Sequence, residues 1–127
     1  MQEKHLFEYA VLRVVPRVER EEFINAGVIL YCRDLKFLDM KYEWRTDKLD
    51  LLNPDIDTAE VKEHLLSFER ICKGSKDAGP ISKLDLAGRF RWLTATRSTV
   101  LQCSKVHPGL SEDPAETLEN LYLTLVK

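Results

Sequence analysis

The chain is poor in the residue arrangements that declare a chemistry on sight. Its three cysteines, Cys32, Cys72 and Cys103, are odd in number and no two stand at a C-x2-C spacing. Neither a disulfide framework nor a zinc site can be assembled from them, and their apolar surroundings fit buried thiols of a reducing cytosol. Cys103 and His107 have the spacing of half a zinc site and lack the other half. Long apolar runs are missing as well. The most apolar stretch near the start, residues 5–15, carries Glu8 and Arg13, so it reads neither as a signal peptide nor as a membrane span. Charge of one sign does not dominate: 19 basic residues face 21 acidic ones for a net of −2, which disfavours a non-specific grip on nucleic acid. A glycine-rich phosphate loop, a G-x-S-x-G elbow and an H-E-x-x-H run are all absent. No metal or cofactor is expected, no catalytic residues are nominated, and an independent enzyme is disfavoured.

What remains has globular proportions. With 127 residues, 44% hydrophobic and 31% charged, and only five prolines and five glycines, the sequence predicts one packed cytoplasmic domain over residues 1–127. Residues 5–15 hold apolar side chains on both parities of a two-residue repeat, as a strand covered on both faces does. A charged connection over residues 17–22 leads to a second apolar strand at Gly27–Cys32. A third follows, in which Leu38, Met40, Tyr42 and Trp44 alternate with Asp39, Lys41 and Glu43, so that one side of it faces water.

The period then changes. Asp57 with Glu60 forms a capping box before Val61, Leu65, Phe68 and Cys72 at helical spacing, and Lys73-Gly74 supplies a stop. Ser82 or Asp85 opens a second helix whose Leu86, Phe90 and Leu93 share a face, weakened by Gly88. A short strand over 98–103 and a loop over 105–112 precede a last helix, where Asp113-Pro114-Ala115-Glu116 sets cap, first-turn proline and capping glutamate in register. The order β-β-β-α-α-β-α predicts an α+β fold: an antiparallel meander of three strands plus a fourth strand, with about three helices covering one face.

Two ordered segments near the start, Tyr9-Ala10-Val11-Leu12-Arg13-Val14-Val15-Pro16 and Glu22-Phe23-Ile24-Asn25-Ala26-Gly27-Val28-Ile29-Leu30, are followed by Arg89-Phe90-Arg91-Trp92-Leu93-Thr94-Ala95, Arg97-Ser98-Thr99-Val100 and the closing stretch 118–126. Taken together these resemble the bacterial family named domain of unknown function 3037, over nearly the whole chain. The family name attaches no activity. The resemblance implies an intracellular bacterial protein and, because members of the family stand beside genes for HipA-like kinases, an accessory or partner role next to such a kinase. The family often carries a glycine before the Glu-Phe pair, where this chain has Glu21, so any backbone role of that glycine is lost here.

Several constellations have both a structural and a functional reading. Arg13 lies in a strand with apolar neighbours, where a guanidinium needs a carboxylate or an anion. Glu22 is the nearest acid if the first two strands pair, and Asn25 before Gly27 tolerates a left-handed turn or a bulge. The structural reading is an internal ion pair with a register-setting bulge. The functional one is a site for an anionic ligand, which would allow a small enzyme acting around Arg13, Glu22 and Asn25. Residues 82–107 carry a local charge of +4, against −4 for residues 43–63. Within the basic segment Arg89, Arg91, Trp92, Arg97 and Ser98 suit stacking plus phosphate contact, or else a helix rim whose arginines pair with the acidic segment. Pro54-Asp55 with Glu60-Val61-Lys62 spells a nuclease-like string. Residues i and i+2 of a helix point about 200° apart, so Glu60 and Lys62 do not converge on a metal. A solvated face explains the isolated histidines, including His64 one turn from Glu60.

The leading expectation is a non-catalytic protein-interaction module whose partner is another protein. Nucleic-acid binding and a small enzyme are the alternatives.

Overall fold

The computed structural model describes residues 3–15, 22–43, 57–97 and 99–127. Three antiparallel strands, β1 (His5–Val14), β2 (Ile24–Cys32) and β3 (Phe37–Tyr42), form the expected meander. β2 begins earlier than its apolar run because a bulge carries the pairing past Gly27. Leu12 faces Gly27 and Arg13 faces Asn25, so Ala26 is the extra residue, and its carbonyl accepts from the Glu43 N–H at 2.8 Å. Gly27 is required by close approach to β3. A Cβ there would stand 2.5 Å from the Lys41 carbonyl oxygen and 2.7 Å from the Tyr42 Cβ. Asn25 keeps a negative φ, so the bulge forms without the left-handed turn.

The other edge of β1 is shared by two short strands. β4 (Leu101–Cys103) pairs with Leu12–Val14, and β5 (His107–Ser111) pairs with His5–Tyr9. The sheet thus has five strands in the order β3-β2-β1 followed by β4 and β5 on one edge, and the segment expected to be a loop over 105–112 contains β5. Its Pro108 and Gly109 hide the strand in the sequence. An edge strand tolerates proline, and Gly109 leaves room for the Phe7 ring, whose edge occupies the place a Cβ would take.

Between β4 and β5, three residues oppose two. Leu12 to Tyr9 on β1 is matched by Cys103 to His107, and the extra residue reverses side-chain parity. Ser104 closes this second bulge. Its N–H donates to the Val11 carbonyl at 2.9 Å, and its buried Oγ accepts from the Val11 N–H at 2.9 Å, where a ladder carbonyl would otherwise serve.

Among the described residues three α-helices accompany the sheet: α1 (Thr58–Lys73), α2 (Leu86–Leu93), preceded by a 3-10 turn at Pro80–Lys83, and α3 (Pro114–Leu125). Each begins at the expected aspartate. The side chains of Asp57, Asp85 and Asp113 accept from the N–H groups of Glu60, Gly88 and Glu116. α1 ends on Gly74 at φ 68°, with the cap N–H directed at the Arg70 and Ile71 carbonyls.

The helices do not all lie on one face. Leu12, Val14, Ile29, Tyr31 and Met40 pack with Val61, Leu65 and Phe68 of α1 and Phe90 and Leu93 of α2. The opposite parity, Phe7, Val28, Leu30 and Cys32, packs with Leu118, Tyr122 and Val126 at α3. This is why β2 is apolar on both parities. It also alters the side of β3 expected to be wet: Lys41 pairs with Glu119 of α3, and Glu43 Oε1 lies 3.9 Å from Lys127 Nζ. Trp44, expected to extend the β3 alternation, lies outside the described residues.

Candidate functional site

The helices of the first face leave one end of that face uncovered. α1 and α2 seal the half around Leu12, Val14 and Ile29, whereas Leu6, at the beginning of β1, remains 57% exposed. β5 sets Leu110 directly opposite Leu6, and Leu110 is 65% exposed. Beside this pair runs an open groove of about 680 Å³, floored by Leu6, Tyr31, Leu86 and Ala87. Its walls come from three places: the start of β1, the four-residue turn between β2 and β3 (Arg33 to Lys36), and the first turn of α2.

The charges around the groove are unevenly engaged. Glu8 is clasped by Arg91, with Nη1–Oε2 at 2.6 Å and Nη2–Oε1 at 2.9 Å, a two-pronged pair that fastens α2 across β1 and raises the Arg91 pKa. Asp34 meets His5 at 3.5 Å, and Asp85 is occupied as the α2 cap through Gly88 N–H at 2.7 Å. Arg33 and Lys36 are exposed at the rim on either side of Asp34, and neither makes an ion pair among the described residues. The groove therefore combines an apolar floor with a charged rim on which three acids (Glu8, Asp34, Asp85) balance three cations (Arg33, Lys36, Arg91).

Lys36 sits at φ 51°, the sole non-glycine among the described residues with positive φ, and its N–H donates to the Arg33 carbonyl at 3.1 Å to close the turn. A left-handed residue with a Cβ costs about 1–2 kcal/mol, and glycine is the usual occupant of such a position.

The residues singled out from the sequence fall in separate places. Arg13 is on the α3 face, at the far end of the sheet from the groove. Its guanidinium carbon lies 4.2 Å from the Phe23 ring centroid, so an aromatic face takes the place expected for Glu22, while its Nε is shielded without a hydrogen-bond partner. Asn25, opposite Arg13, donates from Nδ2 to the Leu125 carbonyl at 3.0 Å and so satisfies the end of α3. Glu22 is half-buried nearby in sequence.

The basic segment is also dispersed. Arg89 packs against Gly74 beneath the end of α1, where its Nη1 donates to the Ser82 carbonyl at 3.4 Å. Arg97 folds back over the end of α2. It donates to the Trp92 carbonyl at 2.5 Å and the Leu93 carbonyl at 2.9 Å, with its guanidinium 4.4 Å from the Trp92 ring centroid and 5.1 Å from that of Phe68. Arg91 pairs with Glu8 rather than with an acid of the 43–63 segment. Of the nominated residues, Arg91 alone borders the groove. Ser98, Glu21 and Pro54-Asp55 lie outside the described residues. Glu60 and Lys62 are on α1, with Glu60 3.6 Å from His64.

The thiols are poorly placed for chemistry. Burial pushes Cys72 up to about 12 and Cys103 up to about 11, and the Cys103 Sγ donates to the Leu93 carbonyl at 3.3 Å. Among the described residues no group of three or more His, Cys, Asp or Glu side chains is arranged to hold a metal ion, and no helix is long and apolar enough to cross a membrane.

Leu6, Arg33 and Lys36 were not singled out from the sequence. A positive charge at the end of a four-residue turn, where glycine is the usual occupant, was the available signal.

An antiparallel α+β fold with an open groove at one end of its sheet is thus the class of protein defined here. The chain belongs to the family described as Protein of unknown function (DUF3037), whose model matches residues 9–126. No curated protein and no solved structure matches the chain.

Proposed function

We propose that this chain is a non-catalytic protein-interaction module of a bacterial cytosolic system, and that it docks a partner protein at the uncovered end of its first sheet face. The observation that carries this reading is the Leu6–Leu110 pair: two large apolar side chains opposed across strands, each more than half exposed, continuous with an apolar-floored groove. Exposed apolar surface of this kind, rimmed by polar residues, marks interaction sites. Arg89, Arg91 and Arg97, the alternative nucleic-acid contacts, are each engaged by acceptors of the chain itself. The kind of partner in this proposal, a HipA-like kinase, is what the family resemblance implies.

The test is co-expression of the chain with a HipA-like kinase of the same genome, and with the products of its adjacent genes, followed by gel filtration. A stoichiometric complex that is lost when Leu6 and Leu110 are both changed to Ser is expected. Co-elution with neither the kinase nor any other product of the adjacent genes would refute the reading.

A further inference from the structure

We infer that Arg13 anchors a binding site for a single carboxylate, on the α3 face at the end of the sheet away from the groove. The site is separate from the proposed docking surface and does not depend on it.

A guanidinium carries five N–H donors. Those of Arg13 make neither a hydrogen bond nor an ion pair among the described residues, and the close contact of the group is the Phe23 ring, 4.2 Å from its carbon. The other three arginines weighed from the sequence are satisfied: Arg89 by the Ser82 carbonyl, Arg91 by Glu8, and Arg97 by two carbonyls at the end of α2. A half-buried cation in the central strand with its donors unmade bears a desolvation cost without return, and an oxygen ligand removes that cost.

The strands on either side supply amides rather than acids. Arg13 has Asn25 opposite it on β2 and Gln102 opposite it on β4. Both have turned their N–H groups elsewhere, Asn25 to the Leu125 carbonyl at 3.0 Å and Gln102 to the Thr99 carbonyl at 2.7 Å. The guanidinium is also fixed in direction. Its Nε is fully shielded, whereas its Nη atoms are not, and Phe23 holds the group from one side. A group pinned in this way presents the planar, two-pronged edge that a carboxylate accepts.

The surroundings select one negative charge rather than two. Glu22 directly precedes Phe23, and Glu43, 3.9 Å from Lys127, lies beside the bulge through its N–H bond to the Ala26 carbonyl. The Asn25 Oδ1, shielded and unpartnered opposite Arg13, adds lone-pair density of the same sign. One guanidinium in this setting balances a monoanion, and a phosphate dianion would meet the acids unfavourably.

The experiment follows side-chain and backbone N–H shifts of the full-length, isotope-labelled chain at pH 7 and fixed ionic strength, with chloride replaced in turn by acetate and by phosphate. Two further probes are N-acetyl-diglycine with a free C-terminus and its C-terminal amide. Acetate is expected to shift Arg13, Phe23 and Asn25 saturably, with half-saturation on the order of 10 mM, and phosphate to bind more weakly. Arg13→Lys keeps the charge but loses the fork, and is expected to weaken acetate binding about fivefold. Where a change at Arg13 disturbs folding, Phe23→Leu provides the second variant: Phe23 is 47% exposed, and loss of its ring should loosen the guanidinium and weaken binding about threefold. Tighter binding of the peptide acid than of acetate assigns the carboxylate to the end of another chain, and equal binding assigns it to a small free acid; both support the site.

The inference is overturned if Arg13 shows no saturable shift by about 100 mM acetate, if phosphate binds more tightly than acetate, or if the peptide amide acts as well as the acid. Unchanged binding by Arg13→Lys, or shifts confined to Arg33 and Lys36, would also overturn it. Leu6→Ser with Leu110→Ser should leave acetate binding intact, so loss of the partner complex in that variant bears on the docking surface alone.

Discussion

Replacing Ser104 by Ala removes a single oxygen, and the structure sets what that oxygen is worth. Its Oγ accepts from the buried Val11 N–H at 2.9 Å and donates to the Lys105 carbonyl at 2.9 Å. Lys105 is exposed, so its carbonyl recovers a donor from solvent. Val11 lies in the central strand and is 7% exposed, so its N–H does not. Leaving a buried donor unmade costs about 1–3 kcal/mol. Unfolding entropy for 127 residues is about 0.27 kcal/mol/K, which converts that cost into a fall in Tm of about 4–11 °C. The same change at Ser67, exposed on α1, should shift stability by less than about 0.5 kcal/mol. Calorimetry reads the stability, and native-state hydrogen exchange at Val11 reads the cause, since that amide should lose protection more than the amides of β2. A Tm within about 1 °C of the parent, with Val11 protection unchanged, would refute the account. The consequence for function is direct, because this bulge reverses the parity of β5 and so turns Leu110 to the groove face and His107 toward Tyr9, with ring centroids 5.2 Å apart.

Gly27→Ala forces a Cβ to 2.5 Å from the Lys41 carbonyl, so β2 and β3 must part, and a loss of about 1–3 kcal/mol in urea denaturation is expected. Arg97→Ala frees the Trp92 and Leu93 carbonyls and uncovers the Trp92 ring. It should cost about 1–2 kcal/mol with a change in tryptophan fluorescence, and Arg97→Lys should recover less than half of that because it cannot fork to two carbonyls. Cys72 and Cys103 should react with a thiol reagent at pH 8 about 100-fold more slowly in the folded protein than in urea, since their raised pKa values keep them as thiols. The sign for stability follows from the same shifts. Unfolding lets these groups ionise near 9, so their contribution is complete below pH 9 and declines as pH rises from about 9 toward 12, which chemical denaturation at stepped alkaline pH would register.

Much of the architecture was written locally. Asp57 with Glu60 and Asp113 with Glu116 are short-range hydrogen-bonding codes, and the helices they open begin where those residues place them. The alternation of Leu38, Met40 and Tyr42 likewise put the correct side of β3 against α1 and α2. β5 was illegible because Pro108 and Gly109 are loop signals by themselves and become compatible with a strand only beside Phe7 and Glu8, which arrive from about 100 residues away in sequence. Arg91 and Glu8 are separated by 83 positions, so no window of sequence could pair them.

What the chain alone determined was therefore the class of fold, the helix boundaries and the family, since these rest on period, caps and ordered segments that need no partner. Tertiary structure decided the layering, in which α3 takes the face opposite α1 and α2. It also decided which charges remain available. Arg13, Arg89, Arg91 and Arg97 drew attention as cations, and folding gave the last three a carbonyl or a carboxylate of the protein, leaving Arg13 with a ring and unmade N–H groups. Arg33 and Lys36 had no such marker and stay at the rim of the groove, because the availability of a charge depends on the neighbours that packing brings within a few ångströms.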